Sequence, residues 1–304
     1  MRKKVLPLLI CVLLSQGVVH GANAVSITRR AHDADKQVSY RGTKAICVTV
    51  NGKMACSVVK VVHMKPEMTR KEYFSPPAVA GMIVIEKNSK TWKYTPRSHR
   101  WETVPSMCPN ATQTCSDRLF DNYNVQLVGS DKVAGRDAYV IKAVPKNAGD
   151  SQHKVWVDKK CYLTLGTQVQ TATGTVLTSS KFTSITVDPR DISSDAFVVK
   201  KIEPTSMPAH VDFAIRKPSY LPKGYRIVGK AEVTVTHRCC AHLQISNGVN
   251  TISLFERRCN KECSALCTPH NLPTMMAWTK RGVHFTLVGD ISRVEMQKIA
   301  SSIK

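Results

Sequence analysis

Between Val133 and Ile185 the side chains alternate between apolar and polar with the period of β-strands. Four runs in this stretch are rich in β-branched or aromatic residues and are bounded by Gly, Pro, Asn or Asp, which is typical of short strands. They cover Ala138–Ala143, His153–Val157, Leu163–Thr171 and Val176–Ile185. In the third run the less polar residues fall mostly on odd positions, as in a strand buried on one face. The pattern predicts an antiparallel meander with one apolar face.

Further strand patterns precede this meander. The dipeptide Asn51-Gly52 between apolar-leaning flanks is a strong signal for a two-residue hairpin turn, so we expect a hairpin over Lys44–Val62. Strand-like runs follow at 69–73, 81–85 and 91–94, at spacings typical of an all-β sheet. Helices are expected at Ile27–Val38 and Asp117–Tyr123.

A stretch with several prolines, Asp188–Lys217, predicts a connection to a second unit that begins near Pro218. Strands are expected in this unit at 230–237, 241–245, 251–256 and 283–287, with a turn at 246–248. Ser292 and Glu295 have the spacing of a capping box. The helix that follows places apolar residues on one face, and we expect it to pack on the second sheet: Met296, Ile299, Ala300 and Ile303.

The order of these elements resembles the MucB/RseB family, periplasmic sigma-factor regulatory proteins whose first domain is built like the lipoprotein carriers LolA and LolB. The resemblance is carried by Val133–Tyr139, Val155–Asp158, Gly174–Phe182, the Leu-Pro-x-Gly-aromatic segment Tyr220–Tyr225, and the closing strand, glycine and helix Leu287–Ile303. It implies a mainly β, α+β fold. An N-terminal curved antiparallel half-barrel of LolA type, with a helix in its concave side, would precede a smaller C-terminal α+β domain.

The N-terminus has the pattern of a signal peptide. Three cations precede an apolar run, Val5–Leu14, and Ala22-Asn23-Ala24 supplies the small residues that a signal peptidase requires, so cleavage is predicted after Ala24. The run is shorter than the about 20 residues of a spanning helix, and Cys11 lacks a lipobox. We expect an exported, soluble, periplasmic protein with a signal peptide at 1–24, an N-terminal domain at 25–199, a linker at 200–217 and a C-terminal domain at 218–304.

The chain is strongly basic. It contains 44 Lys and Arg residues against 22 Asp and Glu residues, a formal net charge of +22, and removal of the three signal-peptide cations lowers this to +19. Such a charge favours anionic partners, which outside the cytoplasm are acidic protein segments, lipid headgroups or envelope polymers. Export argues against nucleic acid as a partner.

Ten of the 11 cysteines lie after the predicted cleavage site, and an even count in an oxidising compartment favours disulfides. In the expected hairpin register Cys47 faces Cys56 at a distance that a disulfide spans. Cys108 and Cys115 flank a short Pro/Asn loop. The remaining candidates are Cys161 in the first domain and, in the second, Cys239, Cys240, Cys259, Cys263 and Cys267.

The cysteines of the second domain lie near three histidines, and Cys/His clusters can hold zinc. Disulfides are the favoured interpretation, because the chain is exported and the C-x-x-C spacing of structural zinc sites is absent. Since each domain holds five cysteines, Cys161 could pair with the odd one of the second domain. We predict neither a metal nor a cofactor.

Candidate chemistry is otherwise sparse. No HExxH, GxSxG or P-loop motif occurs, and the two Ser-x-x-Lys matches, at Ser151–Lys154 and Ser301–Lys304, lack partner motifs, so no enzyme is predicted. A basic-aromatic segment can be interpreted as the rim of a site for an acyl chain with an anionic headgroup, or as half-buried aromatics beside extended cations. The candidate rim residues are Trp92, Tyr94, Arg97, Arg100 and Trp101.

The resemblance implies a non-enzymatic binding protein. Such a protein holds the extracytoplasmic part of a membrane anti-sigma factor, protects it from proteolysis, and releases it when a lipid or lipopolysaccharide-like signal occupies the trough or the cleft between domains. Two alternatives stay open: a lipid or lipoprotein carrier of LolA type, and a cysteine-rich metal or redox module.

Overall fold

The predicted meander forms one end of a large antiparallel sheet in the computed structural model, which describes residues 16–50, 52–88, 90–104, 115–199, 211–235, 238–258 and 275–304. Within these residues the sheet has eleven strands, in the spatial order β6-β5-β4-β3-β2-β1-β11-β10-β9-β8-β7. They are β1 Tyr40–Val50, β2 Lys53–Met64, β3 Met68–Tyr73, β4 Ile83–Lys87, β5 Lys90–Thr95, β6 Arg100–Val104, β7 Tyr123–Val133, β8 Arg136–Pro145, β9 Gln152–Asp158, β10 Thr164–Gln170 and β11 Val176–Val187.

The sheet curls strongly towards its β7 edge. In a flat sheet β7 and β11 would be about 19 Å apart, because four strand spacings separate them. Here the two strands contact each other. Asp131 of β7 accepts a hydrogen bond from Trp156 Nε1 at 2.8 Å and lies 3.9 Å from Lys181 Nζ of β11. The first unit is therefore the curved half-barrel that the resemblance implied.

Helix α1, Gln16–Asp33, packs on β7 and begins earlier than the expected start at Ile27. Ala24 and Ile27 lie three residues apart on one helix face, and both are buried with Tyr123 and Val125. A 3-10 turn, Ala34–Lys36, follows α1, and helix α2 spans Cys115–Asn122. Cleavage after Ala24 stays a prediction. No helix among the described residues has the length and hydropathy needed to cross a membrane.

A second antiparallel sheet follows the connection. Within the described residues its order is β12-β13-β14-β16-β15. The strands are β12 Arg226–Val235, β13 Arg238–Ser246, β14 Thr251–Arg258, β15 Met275–Lys280 and β16 Val283–Gly289. Helix α3, Arg293–Ser302, buries Met296, Ile299 and the following Ile303 against Leu254, Phe285 and other apolar residues of the sheet.

Only one of the two hydrogen bonds of the capping box forms. Ser292 Oγ accepts from Glu295 N at 3.3 Å, as the spacing predicts. The Glu295 carboxylate does not return to the backbone of Ser292, whose N–H donates to Gly149 O in the first unit. It accepts instead from Tyr220 Oη at 2.6 Å and from Lys298 Nζ at 2.8 Å.

The first hairpin has the register that the Asn-Gly turn predicts, and Cys47 and Cys56 are opposite each other and joined by a disulfide. Cys161 corrects the prediction: it has a free thiol, because the turn after β9 directs its sulfur to Asp158 Oδ1 at 3.4 Å and towards Arg136. Cys239 on β13 is also outside any disulfide, and Cys240 beside it is buried. Cys108, Cys259, Cys263 and Cys267 lie outside the described residues, as does the side chain of Cys115.

Candidate ligand trough and domain interface

An apolar trough of 260 Å³ lies on the face of the curved sheet that α1 and α2 partly cover. Alternate positions of β8 and β9 form its floor, including Ile141, Ala143, Val155 and Val157. Its walls are Ala31 of α1, Leu119 and Phe120 of α2, and the turn residues Gly248 and Val249 of the second sheet. A molecule bound here would therefore touch both units of the protein.

Basic side chains lie at the mouth of the trough. Arg29 and His32 of α1 are exposed and belong to its lining. The Arg29 guanidinium lies 4.9 Å from the centre of the Phe120 ring, and that of the adjacent Arg30 lies 3.5 Å above the Tyr162 ring. An apolar floor with the guanidinium groups of Arg29 and Arg30 near its rim matches an amphipathic molecule that has an apolar chain and an anionic head.

Below the trough the two units are joined by a buried hydrogen-bond network. Asn247, in the turn between β13 and β14, is fully buried; its Nδ2 donates to Asp150 Oδ2 at 3.2 Å, and its Oδ1 accepts from the backbone N–H groups of Val249 and Asn250. Tyr225 Oη donates to Asp150 Oδ1 at 2.8 Å. The turn that the sequence predicts therefore also binds the second unit to the first.

The network continues towards the trough through Asn250. Its Nδ2 donates to Tyr123 Oη at 2.9 Å, and its Oδ1 lies 2.8 Å from Nε2 of His153, a residue that lines the trough. Asn122 at the end of α2 donates to Asn247 O at 2.8 Å. Gly224 approaches Asn122 so closely that a Cβ there would lie 2.1 Å from Asn122 Oδ1. This contact explains the glycine of the Leu-Pro-x-Gly-aromatic segment.

Burial sets the protonation chemistry of the interface. Burial raises the pKa of Asp150, although the hydrogen bonds from Tyr225 and Asn247 oppose this effect. Burial also raises the pKa of Asp290, whose backbone carbonyl accepts from Ser151 Oγ across the interface. Burial lowers the pKa of His153, and the hydrogen bond with Asn250 opposes it. The interface thus favours neutral His153.

We expect the interface to weaken in mild acid. Because the pKa of folded His153 is depressed, its contribution to stability is present above the unfolded value of about 6.5 and is lost as the pH falls through the folded value. The raised pKa values of Asp150 and Asp290 act in the opposite direction, and their stabilising contributions are fully present only in stronger acid. Urea midpoints measured from about pH 7 down to about pH 5 should fall for the wild type and fall less for His153→Gln.

The matched control for this pH experiment is His99→Gln, in the exposed turn between β5 and β6. It should keep the pH dependence of the wild type. Equal pH dependence in the wild type and His153→Gln would contradict the assignment of this effect to His153.

The predicted rim residues lie elsewhere in the sheet. Trp92, Tyr94 and Trp101 are half-buried on β5 and β6, with the rings of Tyr94 and Trp101 5.5 Å apart, and Arg97 and Arg100 are exposed. None of the five belongs to the lining of the trough. Their assignment as a partner or ligand rim stays a prediction. Among the described residues no three His, Cys, Asp or Glu side chains converge as metal ligands.

Comparison with known proteins decides the family. Residues 23–211 match the model of the MucB/RseB N-terminal domain. The chain belongs to the MucB/RseB family. The sigma-E factor regulatory protein RseB of Haemophilus influenzae is 23% identical over 155 residues, which are 48% of each chain, so this MucB/RseB chain aligns with about half the length of that relative.

Solved structures show that the fold extends beyond the matched domain. The crystal structure of MucB superimposes with a TM-score of 0.68 at 20% identity and covers 93% of this MucB/RseB chain and 98% of that chain. MucB in the Pseudomonas aeruginosa MucA/MucB complex superimposes with a TM-score of 0.65 at 19% identity, again covering 93% and 98% of the two chains. The second sheet and α3 are therefore part of the shared fold.

Sequence reasoning missed most of the residues that form the trough and the interface. The sequence pattern does not single out Arg29, His32, His153 or Asn250, and it indicates for Asn247 only a position in a turn. One signal was present: an Asn-rich turn, Ser246–Asn250, and the acidic residue Asp150 both follow strand patterns, where side chains of two units can meet.

Proposed function

We propose that this protein is a non-catalytic periplasmic regulator that binds the extracytoplasmic part of a membrane anti-sigma factor and thereby controls a sigma-E-type factor. Family membership supports this proposal, as does the relative described as a sigma-E factor regulatory protein. A similarly folded MucB is bound to MucA in a structure described as containing MucA(peri). The formal charge of +19 that remains after the predicted cleavage suits an acidic segment as the partner.

We further propose that an amphipathic lipid in the trough lowers the affinity for that partner. The shared wall of the trough supports this proposal, because Ala31 and Phe120 belong to the first unit and Gly248 and Val249 to the second. A ligand that contacts both units can have different affinities for different arrangements of them, which is the requirement for coupling. The volume of 260 Å³ is slightly below the range of about 300–1,000 Å³ of pockets that enclose whole small ligands, so a longer acyl chain requires the units to move apart.

The test measures the affinity of the purified protein for a soluble peptide that comprises the extracytoplasmic segment of the host's membrane anti-sigma factor, with and without lipopolysaccharide. We expect binding that lipopolysaccharide weakens by about 5-fold to 150-fold, the usual range of coupling between two sites. Ala31→Phe should fill the trough and remove the effect of the lipid. Ser26→Phe, on the exposed side of the same helix, should keep it.

The outcomes separate the alternatives. Lipid binding without any binding of the anti-sigma segment would favour the carrier of LolA type. Partner binding that responds equally to lipopolysaccharide in Ala31→Phe and in the wild type would exclude the trough as the regulatory site.

A further inference from the structure

Large apolar side chains are exposed at one end of the curved sheet. Seven such residues are exposed in the described part of the chain, and four of them lie here: Val48 at 42%, Met54 at 56%, Val58 at 42% and Phe74 at 54%. Met54 and Val58 lie on the same face of β2, and Phe74 N donates to Val58 O at 2.8 Å. Met54, Val58 and Phe74 therefore form an apolar stripe on one face of this end of the sheet, and Val48, which is opposite Ala55, adds an exposed apolar side chain on the other face of the same hairpin.

The loop after β3 extends this stripe. Residues 74–82 read Phe-Ser-Pro-Pro-Ala-Val-Ala-Gly-Met and contain no charge, although 22% of the chain is charged. Pro76, Pro77 and Ala78 are exposed. The loop is fixed to the sheet at both ends, since Ser75 Oγ accepts from Val58 N at 3.0 Å and Gly81 N donates to Tyr73 O at 2.7 Å. An exposed loop without charges in a chain of this composition is unusual for a surface that faces only water.

The hairpin β1–β2 projects past this loop. Val59 of β2 is opposite Tyr73, the last residue of β3, so no strand among the described residues pairs with the outer edge of Lys53–Ser57. This projecting part is roughly 17 Å long at about 3.4 Å per residue. The Cys47–Cys56 disulfide joins its two strands. The disulfide therefore restrains the two strands of the hairpin relative to each other.

Cations and aromatic rings lie at the same end of the sheet. Lys53 is exposed on the hairpin, and Arg97 and Arg100 are exposed at the turn between β5 and β6. That turn is adjacent to the uncharged loop, because a Cβ on Gly81 would lie 3.0 Å from Pro96 Cγ. Beside it are the half-buried rings of Tyr94 and Trp101. Exposed apolar residues flanked by Lys, Arg, Tyr and Trp are the composition of surfaces that rest at a membrane interface.

We propose that this end of the first unit, comprising the β1–β2 hairpin tip, the 74–82 loop and the Arg97 turn, docks on the surface of a bilayer that contains anionic lipids. The positive charge of the chain complements the headgroups, and the apolar residues enter the interfacial layer. Insertion is shallow, because the unpaired backbone groups at the edge of β2 can form hydrogen bonds with water or headgroups in the interfacial layer but not in the hydrocarbon core. Docking would hold the protein at the membrane surface whether or not the trough is occupied.

The test uses protein purified from the exported fraction and sedimented with vesicles. Vesicles of equal parts phosphatidylcholine and phosphatidylglycerol should bind the wild type, and added salt should weaken binding because it screens the charges. Vesicles of phosphatidylcholine alone should bind at least about tenfold more weakly. The double variant Met54→Ser/Phe74→Ser should lose about tenfold in partition to the anionic vesicles, as should Lys53→Glu/Arg97→Glu.

Matched controls remove equivalent groups at other places. Val128→Ser/Val294→Ser changes residues that are 49% and 59% exposed, and Lys132→Glu/Lys223→Glu reverses two exposed charges. Both should bind like the wild type. Equal binding to the two vesicle types, or equal binding by Met54→Ser/Phe74→Ser and its control, would overturn the proposal.

The soluble anti-sigma segment distinguishes this docking from the proposed function. Its affinity should be unchanged in Met54→Ser/Phe74→Ser. A loss of that affinity with unchanged vesicle binding would identify the stripe as a protein-binding surface and would also overturn the membrane proposal. Circular dichroism and thermal unfolding of each variant confirm that a loss of binding does not come from misfolding.

Discussion

Replacing Asn247 by alanine should lower the free energy of unfolding by about 3 kcal/mol or more, because each buried polar group that loses its partner costs about 1–3 kcal/mol. The side chain is fully buried and serves three partners, Asp150 and the backbone N–H groups of Val249 and Asn250. Asp150 is itself buried. Urea unfolding followed by far-UV circular dichroism and by tryptophan fluorescence measures this loss.

The control for this prediction is Asn124→Ala on β7, where the asparagine is exposed. It should change the free energy of unfolding by less than about 0.5 kcal/mol. We also expect Asn247→Ala to separate the unfolding transitions of the two sheets, because it weakens the network that joins them. Tryptophan fluorescence would detect both transitions, since Trp92, Trp101 and Trp156 lie in the first sheet and Trp278 lies in the second. A change as small as that of the control would mean that the network does not hold the units together.

The strands could be predicted because their signals are local. The Asn-Gly turn determines the register of the first hairpin, and Gly-, Pro- and Asp-rich boundaries define β8, β9, β10 and β11. Alternation failed in one detail. The alternation in the third run predicts a buried position for each odd-numbered residue, yet Thr167 is exposed, because β10 has an irregularity between Thr164 and Gly166 that shifts its register on β9.

The trough and the interface could not be predicted from local patterns. Asn247 and Asp150 are 97 residues apart, as are His153 and Asn250, so nothing in either neighbourhood indicates the other. The same holds for Glu295, whose carboxylate binds Tyr220, 75 residues away, rather than the helix backbone that its spacing predicts. Local patterns predict that polar residues in turns are exposed to solvent, and only the packing of the second unit buries them.

The trough also depends on the curl of the sheet, which composition alone does not determine. The curl brings Asp131 to Trp156 and Lys181, and the ammonium of Lys181 lies 3.5 Å above the Trp156 ring. Trp156 belongs to the Val-Trp-Val-Asp segment that carried the family resemblance. The resemblance therefore implies what periodicity does not indicate, that the sheet bends and leaves space between its face and the helices.

Asp158, the last residue of that segment, is held by several hydrogen bonds. Asp158 is 1% exposed and accepts hydrogen bonds from the Arg136 side chain and from the backbone N–H groups of Lys160 and Cys161. Asp158→Ala should lower the free energy of unfolding by about 3 kcal/mol, because the Arg136 guanidinium and two backbone N–H groups lose their acceptor and each such loss costs about 1–3 kcal/mol, with the smallest cost at Arg136, whose side chain is 26% exposed. Urea unfolding measures it, and Asp137→Ala, on the same hairpin but with its side chain 64% exposed, should cost less than about 1 kcal/mol.

Acid should reproduce part of the loss caused by Asp158→Ala. Burial alone would raise the pKa of Asp158, but the hydrogen bonds from Arg136 and the two backbone amides outweigh it and hold the pKa below its ordinary value. Its stabilising contribution is therefore present above the unfolded value of about 3.9 and is lost as the pH falls through the folded value. The free energies of the wild type and Asp158→Ala should converge in that acidic range, and a constant difference between them would contradict the ion pair as the source.

The position of Asp158 makes this residue more than a stabilising contact. It holds the turn between β9 and β10, and the strand residues on either side of that turn, Val157 and Thr164, both line the trough. A variant that loosens the turn should therefore weaken the lipid response before it unfolds the second sheet. Asp158→Asn, which keeps the acceptor oxygen but not the charge, should retain more of that response than Asp158→Ala, because the backbone N–H groups keep a partner.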